Sequence, residues 1–268
     1  MTKIYEKVSE NFLELASLQR LNILFKLLER SRKRIEPLAK ELDATKQEVH
    51  RNLVRLEQTG LITKDREGKY SLTTFGRTIC IEIPSILFLS QHRDYFLDHN
   101  FGDIPIKFIM RAGQLATGSH IKGITKTLEK WKSVYKNANE YIYEILSEIP
   151  ADLFDPIVMK IKTGIKYQYI VSESAIVPDG RREMLKKSGF YGLMEKGLIE
   201  RKMKKSVQIV TILNEKEACV FFPNNNGEAD ITEMFYSDND MFHEWCLDYF
   251  RYCWYGSDMF QESKLKDD

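Results

Sequence analysis

Residues 49–77 read VHRNLVRLEQTGLITKDREGKYSLTTFGR, and their order decides the fold of the N-terminal third. Val49, Leu53 and Leu56 recur at three- and four-residue spacing, the period of a helix with one buried face. Gly60 supplies the left-handed residue that commonly ends such a helix. Beyond it, Leu61-Ile62-Thr63-Lys64 and Lys69-Tyr70-Ser71-Leu72 read as two short strands, and Asp65-Arg66-Glu67-Gly68 as the turn between them. The helix starts at Thr45. With Glu48 three residues later this is the capping-box pattern, in which hydroxyl and carboxylate each satisfy an otherwise unpaired amide. A further helix begins near Thr74 and carries Phe75, Ile79, Ile81 and Ile83 up to Pro84.

Upstream, residues 9–30 place Phe12, Leu15, Leu18, Leu21, Leu24, Phe25 and Leu28 at helical spacing, which predicts one continuous helix. The basic cluster Arg30, Arg32, Lys33 and Arg34 follows. Residues 35–42 form a second short helix, with Pro37 tolerated in its first turn. Helix, helix, helix, strand, turn, strand is the order of a winged helix-turn-helix. On its third helix, successive residues 100° apart put Val49, Leu53 and Leu56 on one side, with Asn52 at the edge. The other side presents Gln47, His50, Arg51, Val54 and Arg55. Arginine can take guanine O6 and N7 together, glutamine can take adenine N6 and N7, and an aliphatic group can meet the thymine methyl. Recognition helices put their N-terminal residues at base edges, so Gln47, His50 and Arg51 are the expected base readers. Lys46, Arg55, Lys64, Arg66 and Lys69 are the expected contacts to the phosphate backbone. The competing readings are a merely solvated charged face and a protein-binding adaptor that does not read DNA sequence.

The whole chain has 268 residues and a net charge of only +1, which hides an asymmetry. Residues 1–80 hold 16 Lys and Arg against 11 Asp and Glu, whereas residues 81–268 hold 24 against 28. A basic head on a mildly acidic body suits a nucleic-acid-binding module joined to one of another kind. The length favours two domains, and 43% hydrophobic with 12% aromatic residues gives ample core material. No apolar run approaches the roughly 20 residues of a spanning helix, and the N-terminus lacks the apolar stretch of a signal peptide. A cytoplasmic protein with no membrane association is expected. Cys80, Cys219, Cys246 and Cys253 form no metal-type spacing and read as buried thiols. No metal and no cofactor is expected.

The expected organisation is a winged-helix domain over 1–83, a helical connector over 84–116, an α/β domain over 117–260 and a disordered tail over 261–268. Strands are expected at 141–145, 167–171, 207–213 and 218–222, and helices at 152–162 and 239–255. The basic run 181–204 reads as helical. The connector, through Ile86, Leu87 and Phe88, is the expected surface of a homodimer.

The Leu56-Glu57-Gln58-Thr59-Gly60-Leu61-Ile62 sequence resembles the end of the recognition helix in ArsR/MarR-like winged helices. LFLSQHRDYFLDHNFGDIPIKFIMRAGQL (residues 87–115) and FHEWCLDYFRYCW (242–254) are similar to an archaeal family of regulators named after a methanogenesis (filament-forming) regulator. The resemblance covers nearly the whole chain. It implies a two-domain, dimeric transcription regulator acting on double-stranded DNA, with an α/β C-terminal domain of phospholipase D-like architecture. In that architecture catalysis needs His-x-Lys-x4-Asp, normally twice. Here only His120-Ile121-Lys122 approximates it, Thr127 stands where Asp is required, and the stretch does not read as following a strand. An enzyme, such as a phosphodiesterase, is therefore not expected. Ligands of open α/β sheets sit beyond the carboxyl ends of the strands. For a small-molecule effector that singles out Glu148, Ser172, Glu173 and Asn224, with Trp131 as a wall.

Overall fold

A computed structural model describes residues 2–29, 32–148, 150–177 and 180–267. Arg30 of the basic cluster and the last residue of the tail lie outside these. The chain divides into two units, residues 1–84 and 85–268.

In the first unit, Val49, Leu53 and Leu56 close over Ile23, Leu24 and Leu27, with Leu38, Leu61, Ile62 and Tyr70 completing a core from which water is excluded. The elements are α1 (Thr2–Leu15), α2 (Leu18–Glu29), α3 (Ile35–Glu41), α4 (Lys46–Gln58), β1 (Ile62–Lys64), β2 (Tyr70–Leu72) and the first part of α5 (Thr74–Gln91). One expected helix is two. The chain breaks after Leu15, and the Arg20 guanidinium turns back to donate to Glu14 O (2.7 Å) and Leu13 O (3.0 Å), carbonyls that the break leaves without helical partners. Phe12 and Leu18 consequently face solvent. The Thr45–Glu48 capping box is formed in both directions, and Gly60 has φ +74°. Lys33 joins the hairpin by pairing with Tyr70 (N to O 3.0 and 2.8 Å), which lays a third short segment along β2. Gly76 is obligatory for contact rather than for φ: a Cβ there would lie 1.9 Å from Leu61 O. α5 does not end at Pro84 but continues through it to Gln91.

The second unit is a mixed α/β structure. Its strands are β3 (Ser119–Lys122), β4 (Tyr141–Leu146), β5 (Lys166–Ser172), β6 (Ile176–Val177), β7 (Ile199–Lys204), β8 (Val210–Asn214), β9 (Ala218–Phe221), β10 (Glu233–Ser237), β11 (Asp258–Met259) and β12 (Lys266–Asp267). Its helices are α6 (Tyr95–Asp98), α7 (Ile106–Ile109), α8 (Ile124–Asn137), α9 (Ala151–Ile161), α10 (Arg181–Ser188), α11 (Phe190–Glu195) and α12 (Asp240–Tyr255). Eight strands form one sheet in the order β11-β7-β5-β4-β8-β9-β10-β3. β4, β5 and β7 are parallel, and the remaining neighbours are antiparallel. Alternation along β4 sends Glu144 to the face covered by α8, where Trp131 and Tyr135 reach it. It sends Tyr143 to the opposite face, where the ring stacks on Phe250 of α12 at 4.7 Å.

Four expectations are corrected here. Residues 199–204 are a strand inside the sheet, not the end of a basic helix, because Arg201 is neutralised by Glu262 and Lys202 donates to Trp254 O at 2.7 Å. The tail is ordered through residue 267: β12 pairs with β6, Arg181 pairs with Glu262, and Lys264 pairs with Glu173. His120-Ile121-Lys122 lies on an edge strand, β3, paired with β10. The segment 84–116 is no free connector, since Phe88, Tyr95, Ile104, Phe108 and Leu115 are built into the core of this unit. Phe88 is fully buried between Phe96 and Phe235 and is unavailable to a partner. All four cysteines are buried free thiols. No helix among the described residues is long and apolar enough to cross a membrane.

Candidate nucleic-acid interface

α4 is fixed from behind and bare in front. Val49, Leu53 and Leu56 are wholly buried, and Asn52 beside them is buried with its amide spent on Gln19 Oε1 (2.5 Å) and Glu48 O (3.0 Å). On the opposite arc Gln47, His50 and Arg51 are exposed, and their side chains make no hydrogen bond or ion pair with the described residues. Val54, 36% exposed, continues the same face. Gln47 and Arg51 are one helical turn apart, about 6 Å along the axis, close to the spacing of two base pairs. The Glu48 carboxyl is held below its usual range first by the Thr45 amide and then by the Thr45 hydroxyl, so the capping charge persists at neutral pH.

Arg55 differs from the expectation. It reaches sideways to Glu14, with Nε 3.1 Å from Oε2 and Nη2 2.6 Å from Oε1. Glu14 is buried and also holds Arg20 (3.1 Å), whose Nη1 lies 3.5 Å from Asn52 Oδ1. This network ties α1 and α2 to α4 and makes Arg55 a positioning residue rather than a free phosphate contact. The sequence signal for it was weak, since Glu14 and Arg55 are 41 positions apart.

The hairpin carries its charges at the tip. Asp65 closes the turn by accepting from the amides of Glu67 (2.9 Å) and Lys69 (2.8 Å). These bonds, that from Lys69 foremost, keep its carboxyl below the usual range, and Arg32 adds to the effect. Arg66 is exposed and makes no side-chain bond with the described residues. Lys64 lies over the Tyr70 ring at 5.3 Å. Lys69 pairs with Glu67 at 2.6 Å, and Lys46 with Glu36 at 3.2 Å. Both pairs are at the surface, where such contacts are weak and readily exchanged. The Lys33–Tyr70 pairing brings two cations to the hairpin that had been given no role, Arg32 and Arg34, both exposed. Their signal was in plain view as the basic cluster before the second helix.

In the C-terminal unit the expected effector residues separate. Glu148 and Ser172 line one cleft of about 600 Å³ at the carboxyl ends of β4 and β5, together with Gln208 and Glu228. Glu173 is not among its walls and is tied to Lys264 at 2.5 Å. Asn224 holds the neighbouring turn, donating to Glu228 Oε2 at 3.0 Å. Trp131 is elsewhere, in a second cavity on the sheet face with Tyr135, Glu144 and Tyr167. His120 packs against the Phe235 ring at 4.7 Å, with Nε2 2.8 Å from Glu233 Oε2 but without hydrogen-bond alignment. Thr127 is buried and its hydroxyl bonds Ile124 O (2.8 Å) and Ile231 O (2.9 Å), so it faces backbone rather than a reaction centre.

No curated protein matches the chain. Among solved structures it is similar to TrmBL2, described as an archaeal chromatin protein with a novel mode of DNA binding, at 14% identity and a TM-score of 0.43 over 97% of this chain and 99% of that one. It is also similar to NucT from Helicobacter pylori, at 15% identity and a TM-score of 0.40, over 54% of this chain and 99% of that one. Nuc from Salmonella typhimurium, a phospholipase D family member, gives 15% identity and a TM-score of 0.39 over the same shares. Residues 11–87, which contain α4 and the hairpin, match the family model described as the HVO_A0261 N-terminal domain.

Proposed function

We propose that the protein is a sequence-specific, DNA-binding transcription regulator whose first unit is a winged helix of ArsR-like type. The observation that carries this reading is the exposed, unpaired face of Gln47, His50 and Arg51 on a helix locked by Val49, Leu53 and Leu56. α4 enters the major groove and reads base edges through those three residues. Lys46, Lys64, Arg66 and Lys69, joined by Arg32 and Arg34, meet phosphates and set affinity without setting sequence. The protein acts as a homodimer. Ile86 and Leu87, 52% and 45% exposed on α5, are the side chains offered to the partner. The resulting operator is roughly palindromic, with half-sites about 10 base pairs or a multiple of that apart.

The second unit senses a small molecule and has no catalytic role. Thr127 is spent on backbone carbonyls at the position where a phospholipase D-like site requires an acid. An effector that prefers one conformational state changes operator affinity by its differential affinity for the two.

Selection from random duplexes, followed by anisotropy titration of the winner and of an unrelated duplex, tests the reading. A regulator enriches a defined, near-palindromic sequence and binds the unrelated duplex weakly, with affinity falling steeply as salt rises. Failure to enrich any sequence, with negligible binding at low salt, leaves the first unit a protein-binding adaptor and overturns the proposal.

A further inference from the structure

α8 and α9 lie side by side on the sheet face that holds Glu144, and a groove of about 340 Å³ opens between them. Volumes of that order suit small ligands, whose sites are mostly apolar with a few placed polar groups. The floor is Pro156 and Met159 of α9 with Tyr135 of α8. Met159 is 63% exposed, an apolar side chain that the fold leaves to water. Lys132 and Lys136 edge the groove from α8 and Lys160 from α9, and no carboxylate belongs to its wall.

The three charges are arranged without compensation. Lys132 and Lys136 are four residues apart, so their ammonium groups share one side of α8. Like charges at that spacing destabilise a helix. Among the described residues neither has an ion-pair partner to relieve this, nor does Lys160. Lys160 is instead tied to the facing helix. Its Nζ donates at 2.9 Å to Lys136 O, one of the last-turn carbonyls of α8 that no helical amide satisfies. That bond uses one ammonium hydrogen and leaves two for a ligand.

We propose that the groove binds an aliphatic carboxylate, its chain on Pro156 and Met159 and its head group among the three ammonium groups. Uncompensated cations select an anion, and the apolar floor selects a hydrocarbon body over a bare inorganic ion. The lysine stems extend the surface that the chain covers while their charged heads stay at its edge. Methylenes of Pro156, Met159 and these stems suit a flexible chain. Binding stands apart from the reading of the second unit as a sensor; only an effect on operator affinity rests on it.

The test is isothermal titration of the full chain with octanoate, butanoate, octanol and octylamine. Octanoate binds at least about tenfold tighter than butanoate, because its additional methylenes leave water. It binds at least about fivefold tighter than octanol, which lacks the charge, and octylamine binds more weakly still. Lys132→Gln combined with Lys136→Gln weakens octanoate about fivefold and leaves octanol within about twofold. Met159→Glu, which sets a carboxylate on the floor, abolishes octanoate binding. Should the double variant lose its native circular dichroism, Lys132→Gln alone replaces it, with a smaller loss in the same direction. No binding of octanoate, equal binding of octanol or octylamine, or unchanged octanoate affinity in the folded lysine variant overturns the proposal. So does failure of octanoate to bind while the lysine variant shows a shallower salt dependence on random duplex DNA, which assigns these lysines to phosphate contact. Octanoate binding that leaves operator affinity untouched supports the groove assignment and overturns the sensing reading alone.

Discussion

Replacing Arg66 by alanine separates phosphate contact from base reading, and its size follows from counterion release. Each phosphate neutralised on duplex DNA contributes about 0.9 to the slope of log affinity against log salt. Arg66 is exposed at the hairpin tip and unpaired, so its charge is wholly available. In a homodimer the substitution removes two such contacts, and the slope becomes shallower by about 1.8. Between 50 and 200 mM salt the ratio of wild-type to variant affinity therefore shrinks by about tenfold. Anisotropy titration of a selected operator and of a scrambled duplex at four salt concentrations measures it. The variant loses affinity for both duplexes alike. Arg51→Ala behaves oppositely: it costs ~1–3 kcal/mol on the operator, nothing comparable on the scrambled duplex, and leaves the slope unchanged. An Arg66→Ala deficit that is constant with salt, or confined to the operator, refutes the assignment of the hairpin. A slope change near 0.9 refutes the dimer and retains the hairpin.

Gly76→Ala destabilises the first unit by at least about 3 kcal/mol, the upper end of overpacking costs, because the new methyl meets the Leu61 carbonyl rather than a movable side chain. A calorimetric transition of that unit that does not move would contradict the packing of α5 on β1. Thr45→Ala costs about 1 kcal/mol through loss of the reciprocal cap, read as a lower denaturation midpoint with an unchanged denaturant slope. His92 and His120 are both pushed below the ordinary 6.5, burial being the first cause in each. The unfolded chain then takes up protons below pH 6.5 that the folded chain refuses. Stability is full above that pH and declines as pH falls through it. Thermal unfolding from pH 8 to 5 shows this decline, and His120→Asn flattens it; an unchanged pH profile in that variant would remove His120 from the account.

The first unit was legible because its signals are local. Thr45 with Glu48, Leu56 with Gly60, and Asp65 with Gly68 each act within a few residues, and all form as their spacing implies. The break after Leu15 was hidden because Arg20 answers it through side-chain bonds, while the apolar spacing of Phe12 and Leu18 continues across the gap. Arg55 was misplaced for a related reason. An exposed position on a helix says nothing of a carboxylate brought alongside by another helix. In the second unit the parallel strands around residues 141–146 and 166–172 declare themselves by β-branched and aromatic residues. Ile199–Lys204 does not, because the charges that make it look helical are cancelled by residues some 50 to 60 positions later. Glu144 drew no notice in sequence for the same reason: its donors come from α8 and β5, and only the sheet assembles them.

The ordered end of the chain carries a cost for handling the protein. Glu262 is the shared counter-ion of Arg181 and Arg201, and Arg181 is itself buried. Clipping by a protease, or a bulky affinity tag that pulls β12 from β6, would leave the buried Arg181 guanidinium without its carboxylate partner. A preparation so altered would hold an unpaired charge away from water and unfold more readily, reporting a stability that belongs to the damage.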